Sequence, residues 1–300
     1  DFVVTRDGRE FRGVLAVPQQ RQGPRPLVLV FPNYAGLKQF DVDQAVFLAK
    51  LGFCGLAVDL YGEQEAYPSS LRNPGPDATP EDLDRHIQGA FTAYNSCLSN
   101  PKAWRALQNQ FLEQARQHEA VHPTLAAGIG YCFGGQCGLE MLRNGDDIQG
   151  FVSFHGVLQS KPLAVPFDFS KGFLETTTLP PEKVAPNTFS NKAFRLLVCN
   201  GEADPNVHPA ALAEFEAEMK AAKVKDWQIH HYSNTDHGFA LAPGVWSSKY
   251  HEDSDRRSTI SMIHFLDELW GAAGFKPQCD MTDPGFCNAS GTILFPGSKL

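Results

Sequence analysis

Apolar residues come along this chain in short blocks, separated by stretches in which they recur every three or four positions. EFRGVLAVP (10–18) alternates apolar and polar residues and ends in proline, which predicts an early antiparallel strand. RPLVLVF (25–31) is apolar almost throughout, the pattern of a strand buried on both faces, and it runs into a loop holding Pro32 and Gly36. CGLAVDLYG (54–62), LAAGIGYC (125–132), IQGFVSFHG (148–156), FRLLVCNGEAD (194–204) and WQIHHYSNTDHG (227–238) repeat that theme, each stopping at polar residues or glycine. Between them, helical spacing predicts helices over 41–52, 80–95, 101–118, 133–143 and 209–222.

Strands alternating with helices imply an α/β fold, with a mainly parallel central sheet covered by helices on both faces. The proline-rich stretches 64–80 and 160–191 are loops inside one domain, because strand signals resume after each. That reading gives a domain over 1–275 and a C-terminal tail over 276–300. In such sheets ligands gather at the C-terminal ends of the strands.

Composition narrows the function classes. The chain has 300 residues, 42% of them hydrophobic, which is enough for a large core. A net charge of −8, with no basic stripe, argues against nucleic acid or an anionic membrane as partner. No apolar run approaches the ~18 residues of a membrane span. The seven cysteines form no disulfide framework, no CxxC pair and no zinc-type spacing with histidine, so no metal is expected. Cys279 and Cys287 bracket CDMTDPGFC and would close a small disulfide loop in an oxidising compartment. The terminal Ser298-Lys299-Leu300 reads as a peroxisomal address and favours an intracellular protein, whereas the sequon Asn288-Ala289-Ser290 points towards secretion. Nothing in the sequence fixes the oligomeric state.

Three strand ends carry groups suited to acyl transfer. Gly130-Tyr131-Cys132-Phe133-Gly134 has the G-x-nucleophile-x-G spacing of a strand-to-helix elbow. Flanking glycines remove side chains that would collide in the turn, and the helix that follows aims its positive end at the thiolate. Asp204 lies in GEADP, just past an apolar strand, and His237 follows the last strand in DHGF; nucleophile, acid, histidine is the order of an α/β-hydrolase. Cys132 would attack an acyl carbon, His237 would take and return its proton, and Asp204 would hold the imidazole. The backbone N–H groups of Phe133 and Tyr34 are the expected oxyanion donors. Asn33, His155, Phe239 and Leu241 are expected pocket residues. His208 reads as a helix start, Asp236 as a turn or cap, and the adjacent His230 and His231 as facing opposite sides of a strand.

GYCFGG around Cys132, GEADP around Asp204 and DHGFA around His237, supported by VFPNYAGL and GFCGLAVDLYG, resemble the dienelactone hydrolase family over about residues 11–270. The resemblance implies an α/β-hydrolase-like fold, a Cys-Asp-His triad and hydrolysis of an ester, lactone or thioester without a cofactor. Two departures bear on the substrate. Well-known members have a glutamate where this chain has Asn33, and an arginine that grips a substrate carboxylate where it has Leu241. A less charged small-molecule ester, lactone or thioester therefore fits better than a dicarboxylate-like dienelactone. Acyl transfer or lyase chemistry in the same pocket, a binding protein without turnover, and a Cys132–Cys137 redox pair are the alternatives at this point.

Overall fold

Within each buried strand the side chains sort by parity onto two cores. In a computed structural model that describes residues 1–75, 77–159, 179, 184–242 and 249–279, strand β3 (Arg25–Phe31) sends Leu27, Leu29 and Phe31 to one face and Val28 and Val30 to the other. Strand β7 (Arg195–Gly201) divides Leu196 and Val198 from Leu197 and Cys199 in the same way. Alternation of period two places successive side chains on opposite faces, so a strand apolar at every position must be covered on both.

The remaining strands are β1 (Phe2–Arg6), β2 (Arg9–Ala16), β4 (Cys54–Ala57), β5 (Val121–Tyr131), β6 (Gly150–Phe154) and β8 (Asp226–Tyr232). Among the described residues they form an eight-stranded sheet in the order β1-β2-β4-β3-β5-β6-β7-β8. β1 and β2 pair antiparallel, β2 runs antiparallel to β4, and every pair from β4 to β8 is parallel. This is the mainly parallel α/β sheet that the apolar blocks predict, with the early antiparallel strand in place.

Among the described residues six α-helices cover it: α1 (Gln39–Lys50), α2 (Pro80–Leu98), α3 (Pro101–Ala115), α4 (Phe133–Asn144), α5 (Pro209–Ala222) and α6 (Glu252–Trp270). Residues of α2, α3, α4 and α5 pack into one core, those of α1 and α6 into the other. Helix starts follow local chemistry. The Thr79 and Asn100 side chains accept from Asp82 N and Ala103 N, with proline at the first helical position in both cases. His208 does the same for α5, as a helix start should.

Two elements went unread in the sequence. β1 reaches β2 through a two-residue Asp7-Gly8 turn in which both residues have positive φ, 49° and 74°; Asp-Gly is a strong hairpin signal. α6 hides its period because Ser254, Asp255, Ser258 and Thr259 are buried beside Met262, Ile263 and Leu266. Residues beyond α6 fold back onto the sheet: the Gln278 N–H donates to Leu51 O at 2.8 Å, and Arg25 lies 4.9 Å over the Phe275 ring. Cys279 is half-buried; Cys287, the Asn288 sequon and Ser298–Leu300 lie outside the described residues. No helix among the described residues is long and apolar enough to cross a membrane.

Candidate active site

Cys132 occupies the turn between β5 and α4 with φ 56° and ψ −110°. A non-glycine residue at positive φ outside the left-handed helical well carries backbone strain, and such strain collects at functional turns. Two hydrogen bonds impose it: the Cys132 N–H donates to Phe154 O at 3.0 Å, and Gly135 N–H donates to Cys132 O at 2.9 Å. The glycines serve packing and chemistry together. A Cβ on Gly130 would lie 2.2 Å from the Gly134 carbonyl, and one on Gly134 would lie 2.2 Å from Phe31 O. Close approach of β5, α4 and the end of β3 is what raises the cysteine on its turn. The residue is 4% exposed and directly precedes the positive end of α4.

His237 and Asp204 come from the loops after β8 and β7. His237 Nδ1 lies 2.9 Å from Asp204 Oδ2, and the aspartate is buried. The other Asp204 oxygen accepts from Asn206 N at 2.8 Å, which fixes the carboxylate plane. His237 is also within side-chain hydrogen-bond reach of Cys132. Burial pushes the imidazole pKa down, but the Cys132 sulfur beside it and the Asp204 hydrogen bond outweigh burial and raise it to about 10. Asp236 instead accepts from the His237 N–H at 2.7 Å and pairs with Lys249, the turn role expected of it.

The loop after β3 backs onto the same turn. Asn33 is 2% exposed and spends its side-chain oxygen locally, accepting from Ala35 N and Lys38 Nζ, each at 2.9 Å. Lys38 is a site residue that the sequence reading missed. Its side chain is buried, 3.7 Å from Asp41 Oδ2, and it lies in the field of Cys132. Burial pulls its pKa below the ordinary lysine value, against the opposing pull of Asp41 and Cys132. One signal was available: Lys38 is the N-cap of α1, where a cation faces the positive end of a helix.

Phe133 begins α4 with its ring among Trp104, Tyr94 and Tyr61 at centroid separations of 5.3, 4.9 and 6.0 Å. His155 has φ 40° and is fully buried edge-on to His237 at 5.1 Å and to Phe239 at 5.3 Å. Neither of its ring nitrogens has a hydrogen-bond partner among the described residues, and burial with the neighbouring His237 holds it neutral. Phe239 and Leu241 lie in the apolar core beneath the site, 0% and 3% exposed. Cys137 is fully buried within α4, and burial pushes its thiol pKa well up, as an inert packing cysteine requires. Among the described residues no group of three His, Cys, Asp or Glu side chains is placed to hold a metal ion.

Comparison with known proteins decides the family. The family model described as "Dienelactone hydrolase family" matches residues 11–270. The chain belongs to the dienelactone hydrolase family. It is thereby a hydrolase acting on ester or lactone bonds. One relative is a probable 2-oxo-3-(5-oxofuran-2-ylidene)propanoate lactonase of Bradyrhizobium sp, 26% identical over 224 residues, covering 72% of this chain and 74% of the relative. A dienelactone hydrolase-like promiscuous phosphotriesterase from metagenomic libraries superposes with a TM-score of 0.64 at 26% identity, covering 89% of this chain and 96% of that one. A dienelactone hydrolase-type structure from Klebsiella pneumoniae subsp. pneumoniae MGH 78578, at 16% identity and TM-score 0.58 over 87% of this chain and 95% of that one, shares the fold.

Proposed function

We propose that this hydrolase is cysteine-dependent and works through an acyl-enzyme. The observation that carries the reading is the placement of His237, bonded to Asp204 through Nδ1 and within reach of Cys132 at the start of α4. His237 takes the thiol proton, and the Cys132 sulfur adds to the acyl carbon of an ester, lactone or thioester. The carbonyl π pair moves to oxygen, where the Phe133 and Tyr34 amides meet the charge. Collapse breaks the bond to the leaving oxygen or sulfur, which takes the proton from His237. In a lactone the leaving alkoxide stays tethered to the acyl group. Water, deprotonated by His237, then releases the acid and restores the thiol.

Asn33 and Leu241 bear no charge, so an uncharged or weakly charged small lactone, ester or thioester is the favoured substrate. Family relationship to a probable lactonase supports the lactone member of that set. The test is hydrolysis of an activated aryl ester by variants. Cys132→Ala should lower kcat by roughly a thousandfold or more. Asp204→Asn, which frees the imidazole tautomer, should cost roughly a hundredfold or more. Turnover that survives Cys132→Ala overturns the reading.

A further inference from the structure

The loop carrying Tyr34 is held by its carbonyls, one peptide after another. Asn33 O accepts from Gly36 N at 2.9 Å. Tyr34 O accepts from the Tyr61 hydroxyl at 2.8 Å, and Ala35 O from the Tyr67 hydroxyl at 3.0 Å. The Ala35 N–H donates to Asn33 Oδ1, so the peptide after Tyr34 is pinned at both ends. With the carbonyls on either side of Tyr34 fixed, the direction of its own N–H is fixed too.

The two tyrosines are themselves immobilised. Each is at most 2% exposed. Arg72 lies 5.9 Å from each ring centroid and is tied to Asp59 at 2.9 Å and to Gly62 O at 2.5 Å. Glycines admit the rings: a Cβ on Gly36, where φ is 78°, would meet Tyr61 Cδ2 at 2.8 Å, and one on Gly89 would meet Tyr67 Cδ2 at 2.5 Å. Tyr61 also stacks on Phe133, with 18° between the rings. One side chain thus touches both residues whose amides face the developing charge. Burial pushes both phenols up, which keeps them as donors.

We propose that Tyr61 and Tyr67 are positioning residues that aim the Tyr34 amide, and through Tyr61 the Phe133 amide, at the oxyanion of the reaction. The inference rests on the acyl-transfer reading above. Neither tyrosine touches the reacting atoms; each acts through a loop carbonyl or a ring face. A preorganised donor must be held before charge develops, and small displacements of such groups are costly.

The test compares the native protein with Tyr61→Phe and Tyr67→Phe using three probes. An activated aryl ester gives kcat and KM. An aryl trifluoromethyl ketone adds the Cys132 sulfur to its carbonyl carbon, forming a C–S bond and an alkoxide with no leaving group. Iodoacetamide alkylates the same sulfur with loss of iodide and creates no oxyanion. Each variant should lose roughly tenfold in kcat and in fluoroketone affinity, with KM within about threefold and the alkylation rate within about twofold. Gly89→Ala, which displaces the Tyr67 ring but keeps its hydroxyl, should give the same pattern. A kcat and fluoroketone affinity unchanged within about twofold overturn the proposal, as does a loss shared equally by iodoacetamide, the mark of a generally damaged pocket. Failure of the native protein to form a fluoroketone adduct, with turnover independent of Cys132, overturns the parent reading and the brace with it.

Discussion

At the residue scale, the raised proton affinity of His237 depends on the sulfur beside it. Its pKa of about 10 means that the ring keeps its proton through neutral pH and releases it only as pH rises towards that value. Cys132→Ala removes the largest of the raising influences, so the His237 titration should move down. An imidazole NMR titration of both proteins checks this, and an unshifted His237 would mean that the two side chains do not interact. Lys38 gives a second prediction. Lys38→Met leaves the Asp41 carboxylate buried without its cation and should cost about 3 kcal/mol in urea unfolding. Adding Asp41→Asn should recover much of that loss. A double variant no more stable than Lys38→Met alone would mean that the two side chains are not paired.

Helix α4 shows what an element must supply behind a tight strand-to-helix turn. Gly134 in its first turn lets the ends of β3 and β5 close on it, and its last turns carry a buried ionic cluster. Glu140 bonds Arg105 at 2.7 Å and Arg143 at 2.9 Å, and Arg143 reaches Glu218 at 2.7 Å. Burial alone would push the Glu140 carboxyl up, but Arg143 and Arg105 hold it below its ordinary value. A carboxylate whose folded pKa is depressed stabilises the fold above its unfolded pKa and loses that contribution as pH falls through the folded value. Glu140→Gln should therefore cost about 3–5 kcal/mol at neutral pH, and less as the solution is acidified. Urea unfolding at neutral and acid pH checks both the size and the convergence. The elbow itself was legible in GYCFGG because glycine spacing is a local property. The ionic cluster was not, since Arg105, Glu140 and Glu218 meet only when α3, α4 and α5 are packed.

Across the whole molecule, the parallel sheet was readable wherever apolar residues filled whole strands, as in β3 and β7. The strand-end positions of Cys132, Asp204 and His237 were legible as well, the first two after buried strand ends and His237 after the more polar β8. The misses have a common cause. Tyr61, Tyr67 and Arg72 act through contacts between separate segments, and Tyr61 reaches Tyr34 O across 27 positions. A polar residue inside a proline-rich excursion gives no local sign that it will be buried. Asn33 and Leu241 mark the other limit: the sequence reads both as pocket residues, while the structure places Leu241 in the core and the Asn33 oxygen on its own loop. What the fold does is bring three strand ends and one braced loop to a single point. The most direct test of that account is intact-mass sampling during turnover of a slow-deacylating aryl ester, followed by peptide mapping. A transient acyl adduct on Cys132, formed and discharged at rates matching kcat and slowed to discharge by His237→Ala, is the predicted result. Full turnover with no adduct on Cys132 at any time would contradict it.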